Sequence, residues 1–263
     1  MSAFPLKVIA LAAMLVDHIA AVFPQHFTLG FRAVGRLTFP IFVYLIAEGF
    51  RHTRSPQKFL LRLLAFALIS EPFYDWSMNR ANNIAAGCSP WHVDFLNDTN
   101  IFYTLLLGGM AIVAFRWINN TILKQYFEDA TPGERFFTVL ISSLPTIGFM
   151  WLADILSTDF GGYGVLFILL MYVVTKPKWL MLAVFALMNV LQHRGLLPLF
   201  HDDFVRGYIS VDIWFYWFIL ITLLTVPLAA LYNGKRGPGF KWLFYVAYPA
   251  HLAILAAAAW LIF

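Results

Sequence analysis

Residues 6–23 read "LKVIALAAMLVDHIAAVF": one apolar helix with an Asp and a His set side by side within it. In a soluble helix such a pair would be ordinary. Inside a bilayer an ionisable side chain costs about 2.5–3.5 kcal/mol on insertion scales, so two in succession require a reason. The whole chain says that the bilayer is the right setting. Hydrophobic residues make up 61% and charged residues 12%, where soluble domains have about 45–50% and about 25%. Aromatics, at 18%, suit belts of Trp and Tyr at the two interfaces. Asp17 and His18 interrupt the run, no small-x-small cleavage pattern follows, and more apolar segments come after. The stretch therefore reads as a retained first span rather than a signal peptide.

Working outward, runs near the ~20 residues that a spanning helix needs recur at 5–23, 33–51, 58–76, 100–118, 136–154, 161–176, 178–193, 212–231 and 241–262. They predict an all-α, polytopic transmembrane helical bundle of about nine spans forming a single integral-membrane domain over 1–263. The sixth and seventh segments are joined only by "TKPK", 175–178. Basic residues gather on alternate loops: Arg51, Arg54, Lys58 and Arg62; Arg116, Lys124 and Arg135; Lys176 and Lys178; Lys235, Arg236 and Lys241. The opposite loops hold Arg32, Arg80, Arg194 and Arg206. By the positive-inside rule the N-terminus is cytoplasmic and the C-terminus external, as in a bacterial inner (cytoplasmic) membrane protein. The net charge of +4 is then a topology signal and does not point to nucleic acid. The one cysteine, Cys88, forms no internal disulfide, so helix packing must carry stability. No HExxH or other spaced ligand set occurs, "HDD" at 201–203 reads as a hydrated loop, and no metal is expected.

The polar residues within the spans form a pattern. His18 follows Lys7 by eleven residues, about 16 Å along a helix axis, and returns to within about 20° of the same face. Asp17 is rotated by about 100° and cannot orient His18 directly. Each needs a partner from another helix. In "AVGRLTFPIFVYLIAEGFRHTR", 33–54, Arg36 enters near the outer side, where Glu71, Asp75 or Asp17 is its expected partner. Pro40 is expected to loosen the helix there. Glu48, Arg51 and His52 share i,i+3 and i,i+4 spacing, suited to an ion-pair cluster at the inner end. Glu71, Tyr74 and Asp75 share one face of the third span. Asn100, Thr104, Asp154, Tyr163, Gln192, His193 and Asp212 sit at outer ends of later spans, and His251 lies ten residues beyond Lys241, at a depth like that of His18. The pattern predicts two midplane histidines beneath an outer ring of acids and amides, around a cavity reached from both sides. Plainer readings stand beside it: snorkelling for Lys7, interfacial capping for Glu71, Asp75 and Asp154, a structural ion pair for Arg36, and a folding clamp for Glu48 and His52.

The opening stretch, together with "FRAVGRLTFPIFVYLIAEGFRHTR", "FLLRLLAFALISEPFYDW", "NIFYTLLLG", "YGVLFILL" and "YPAHLAIL", resembles the TraX family, membrane proteins associated with N-terminal acetylation of conjugative pilin. A wider resemblance is to the transmembrane acyltransferase group, in which a basic residue, ten intervening residues and a His lie on the first span; Lys7 and His18 have that spacing. Glu48 stands before the Gly where the wider group usually shows Ser, a detail that fits TraX better. The resemblance implies cytoplasmic acetyl-CoA (acyl-CoA) as donor and an acceptor protein, sugar or lipid at or beyond the outer face. It implies His18 as catalytic residue, with Asp17 and Arg36 beside it. Lys7, Glu48, Arg51, His52, Arg54 and His251 are then expected on the donor side, and Glu71, Asp75, Asn100, Asp154 and Tyr163 on the acceptor side. Buried Asp, Glu and His also mark proton-coupled transporters, although no paired repeats with matching broken helices are visible. A non-catalytic assembly factor of a pilus or secretion machine is the third reading.

Overall fold

The computed structural model describes residues 1–26, 29–126, 131–194 and 213–262, and all regular structure among them is helical. In order, the helices are α1 (Ala3–Val22), α2 (Leu29–Gly35), α3 (Thr38–His52), α4 (Pro56–Ser77), α5 (Arg80–Ala85), α6 (Ile101–Tyr126), α7 (Pro132–Ser143), α8 (Pro145–Ile155), α9 (Gly161–Val173), α10 (Lys178–Arg194), α11 (Ile213–Leu223), α12 (Thr225–Ala230) and α13 (Lys241–Ile262). Each predicted apolar segment falls on a helix or on a pair of helices. Residue 212, Arg206 and the 201–203 stretch lie outside the described residues.

Five stretches are long and apolar enough to cross a membrane: Ala3–Val22, Gly30–His52, Ile101–Leu123, Pro132–Ile155 and Trp242–Ile262. Gly161–Val173, Lys178–Gln192 and Trp217–Ala230 are apolar but shorter. At 22 residues, α4 is long enough, about 33 Å at 1.5 Å per residue, but it carries Lys58, Arg62, Glu71 and Asp75.

The breaks within segments have local causes. A proline ring clashes with the carbonyl four residues earlier and offers no N–H. Pro145 therefore opens α8 where α7 stops, and α11 ends at Leu223, four residues before Pro227. The second segment breaks in the same way at Arg36 and Leu37, four and three residues before Pro40, where the helix was expected to loosen. Pro40 is third in α3, and the first turn of a helix needs no N–H donor, so Pro40 is accommodated there. Thr38 Oγ1 donates to the Ala10 carbonyl at 3.2 Å and ties the start of α3 to α1. A capping box of Thr131 and Glu134, with Pro132 following the cap, starts α7.

The core lies where α3, α6, α9 and α10 meet, around Phe50, Ile112, Phe167, Met171 and Phe185. Gly164 allows α9 to approach α6, since a Cβ there would meet Thr104 Cγ2 at 2.5 Å. Outside, Trp117, Trp151 and Trp179 stand about 70% exposed. Such a surface is poorly suited to water and well suited to lipid. α13 packs on α4 and α1. Contacts of Phe4 with Phe240 and Phe244 at one end, and of His18 with His251 further along, show that α1 and α13 run in the same direction.

Candidate functional site

The parallel register of α1 and α13 brings the two deep histidines together. His18 Nδ1 and His251 Nε2 are 2.7 Å apart, and the rings stack with centroids 4.9 Å apart. Both are buried. His251 Nδ1 lies 2.9 Å from the Ala247 carbonyl one turn earlier. Tyr248 packs edge-on against both rings, at 6.1 Å from His18 and 5.4 Å from His251. Its hydroxyl is buried beside the Ile101 backbone, without a hydrogen bond of full geometry among the described residues. His251, expected near the donor, is thus the direct partner of His18.

From one end of the bundle a cavity of about 500 Å³ leads toward this pair. Lys7, His52, Arg62 and Arg236 line one part of it, and Met14, Phe102 and Tyr248 another. Lys7 also lies 5.3 Å from the centre of the Phe244 ring. His18 does not itself line the cavity; Tyr248, which does, packs against it. A second recess of about 670 Å³ lies on the other side of Glu48 and His52, between Arg51, Lys176 and Lys178. The N-terminus closes this end, through Met1 N to Leu231 O at 2.7 Å and Ala3 N to Lys235 O at 2.9 Å.

The predicted inner cluster forms. Glu48 pairs with Arg51 and with His52, the latter at 3.4 Å. Arg51 also donates to the Met171 and Tyr172 carbonyls, so it ties α3 to the end of α9. Arg54 is exposed and lines neither cavity.

Asp17 pairs with Arg32, at 2.9 Å, rather than with Arg36. This is an ion contact by distance; the aligned hydrogen bond from Arg32 runs to the Asp17 carbonyl, at 3.3 Å. Gly35 explains the geometry, because a Cβ there would fall inside the Asp17 side chain. Arg36 meets neither Glu71 nor Asp75. Its guanidinium lies 5.4 Å from the centre of the Phe218 ring, and the carboxylates whose field it feels are Asp17 and Asp159.

The other acids and amides are engaged in holding backbone. Buried Glu71 accepts from the Asn100 side chain and from Asn100 N, at 3.2 Å. Asn100 in turn donates to the Ala67 carbonyl at 2.9 Å and accepts from Phe102 N at 2.9 Å, capping α6. Asp75 accepts from Asp94 N and from Asn79, both at 2.9 Å. Asp154 accepts from Gly162 N, at 2.6 Å, in the first turn of α9, and Tyr163 donates to the Met188 carbonyl. Among the described residues no cluster suited to a metal occurs. Sequence reasoning missed Tyr248. Its signal was present in "YPAH", because residues three apart share a helix face.

A family model described as TraX protein matches residues 3–258. The chain belongs to the TraX family. It is also 30% identical, over 98% of its length and 95% of the relative's, to a protein of Dichelobacter nodosus described as "Probable fimbrial assembly protein FimC, serogroup H1". No solved structure gives a significant match. With five helices fit to cross a bilayer, this TraX protein is an integral membrane protein.

Proposed function

We propose that this TraX protein is a membrane-embedded acyltransferase, which moves an acetyl group from cytoplasmic acetyl-CoA to an acceptor at or beyond the outer face of a bacterial inner membrane. The N-terminal amine of a pilin-like protein is the acceptor in this reading. The chain passes the membrane nine times, with α4 and the shorter apolar helices included, and its N-terminus is cytoplasmic. The alternation of basic loops supports that topology, as does the convergence of Lys7, Arg62, Lys178 and Arg236 on the cavities at one end.

The observation that carries the proposal is a cavity with a cationic mouth and an inner wall formed by Tyr248, whose ring touches both buried histidines. Lys7 and Arg236 lie close enough to repel, and a phosphate between them would relieve that repulsion. The apolar walls suit a pantetheine arm. In the reaction the acceptor nitrogen attacks the thioester carbonyl. The C–N bond forms, the C–S bond breaks, and the proton from the amine passes through His18 to the departing thiolate, which leaves as the thiol. The Tyr248 hydroxyl is the donor for the oxyanion of the tetrahedral intermediate. Asp17 and Arg36 act from beside this centre.

The test is calorimetric binding of acetyl-CoA to the purified protein, followed by transfer to a pilin N-terminal peptide in lipid nanodiscs. Binding, with transfer lost in an inserted His18→Ala variant, is expected. Full transfer by that variant would remove His18 from the mechanism. No heat and no thermal stabilisation at millimolar acetyl-CoA would overturn the donor assignment. The description of the Dichelobacter nodosus relative favours a second reading, a non-catalytic role in fimbrial assembly. If His18→Ala restores fimbriae to a deletion strain as well as the native chain does, that reading takes precedence.

A further inference from the structure

Resting on the acyl-transfer reading, we propose that His251 is the positioning residue of the reaction: it fixes His18 in the Nδ1–H form, leaving Nε2 as its basic nitrogen, and accepts the charge that His18 acquires. The argument starts from the Ala247 carbonyl, which can only accept. At 2.9 Å it requires a proton on His251 Nδ1. A neutral imidazole carries one proton, so His251 Nε2 is a lone pair. At 2.7 Å from that lone pair, His18 Nδ1 must then be the donor. The remaining nitrogen, His18 Nε2, holds the lone pair of a general base. One backbone carbonyl therefore orders two side chains from different helices.

The same chain of hydrogen bonds handles the proton. When His18 Nε2 takes a proton from the acceptor amine, the pair gains one proton and one positive charge. The Nδ1 proton of His18 can cross to His251 Nε2, leaving His18 neutral and His251 charged, with its Nδ1–H still on Ala247. Reversal returns the proton to His18 Nδ1, and Nε2 gives its own proton to the thiolate. Nothing is consumed. Tyr248 packs against both rings. His251 does not line the donor cavity, so its loss should spare donor binding.

The experiment is in two parts. In nanodiscs, with ¹⁵N-labelled histidine and no substrate, the expected spectrum has His18 protonated at Nδ1 and His251 at Nδ1, with an N–H···N coupling between them that vanishes in His251→Gln. Protonation of His18 at Nε2, or no coupling, overturns the assignment whether or not the protein proves to be a transferase. In turnover, His251→Gln keeps an acceptor for His18 but holds no proton. It should bind acetyl-CoA with unchanged affinity and lose roughly 10–100-fold in kcat, less than the full general-base contribution of about 10²–10⁴. Its pH–rate profile should show one ionisation where the native pair shows two. A variant with native kcat and a native profile sinks the positioning role. Failure of acetyl-CoA to bind the native chain sinks the parent reading and leaves the spectrum to decide the pair.

Discussion

The two ends of the bundle use polar residues in opposite ways. At the end that gathers Lys7, His52, Arg62 and Arg236, the side chains line cavities of about 500 and 670 Å³. At the other end, Glu71, Asp75, Asn100 and Asp154 are taken up by backbone N–H and carbonyl groups. One end has charge facing space; the other has charge closing helix starts and loops. The difference teaches that an ionisable residue near a membrane interface marks a site only when the fold leaves it something to bind. Glu71 and Lys7 look equally functional in a list of intramembrane charges, yet Glu71 is fully buried against Asn100 and Lys7 lines a cavity.

The comparison can be broken most strongly at Glu71. Glu71→Leu leaves the Asn100 N–H and one of its two side-chain amide protons without an acceptor, the other staying on the Ala67 carbonyl, at roughly 1–3 kcal/mol for each orphaned group. The expected result is a large fall in melting temperature in detergent, while Glu71→Gln, which keeps an acceptor oxygen, falls much less. Equal melting of native and Glu71→Leu chains would mean that this end is not locked by Glu71. Next is the contact between α2 and α1. Gly35→Ala forces a Cβ into Asp17, and overpacking of this kind costs about 1–3 kcal/mol. Thermal stability should fall, while an alanine at Gly148, where a Cβ meets nothing, should leave it unchanged.

At the open end the effects sharpen binding rather than stability. Lys7→Ala and Arg236→Ala should each weaken acetyl-CoA several-fold, as partly exposed charges worth about 0.2–1 kcal/mol do. The loss should shrink as salt rises, because the interaction is screened. Affinity that ignores both substitutions and salt would move the phosphates elsewhere. The smallest effect lies in the loop beyond α4. Donation from the Asn97 side chain, then from the N–H groups of Leu96 and Asn97, holds the Asp94 carboxyl below its usual range. A carboxylate with a lowered native pKa stabilises the fold above its unfolded pKa and loses that contribution as pH falls through the native value. Proteolysis in the 94–97 turn should therefore quicken only on acidification below the ordinary carboxylate range. Asp94→Asn should remove that dependence.

Much of the fold was legible. The segment 5–23 became Ala3–Val22 and 241–262 became Lys241–Ile262, because hydropathy and helical length are properties of a continuous run. The breaks at Leu37, Leu144 and Leu224 were harder to read. The proline effect was visible in the sequence, but not every proline interrupts its helix, as Pro72 inside α4 and Pro249 inside α13 show. The inner cluster of Glu48, Arg51 and His52 was legible from i,i+3 and i,i+4 spacing within one helix. Asp17 was not: its partner is Arg32 on the following helix, and only the crossing at Gly35 selects Arg32 over Arg36.

By itself the sequence determined that this is an all-helical membrane protein, which segments are apolar, and that His18 and His251 lie at matching depth. Each of these follows from local composition and the fixed rise of a helix. Tertiary structure alone decided that α1 and α13 stand side by side in parallel, so that equal depth becomes a 2.7 Å contact. It also decided that Tyr248 both lines the cavity and packs against the histidines, and that the acids of the far end are spent on backbone. Those outcomes depend on the azimuth of each helix about its neighbours. For the histidines that angle is set by packing between residues more than two hundred positions apart, and no window of sequence contains it.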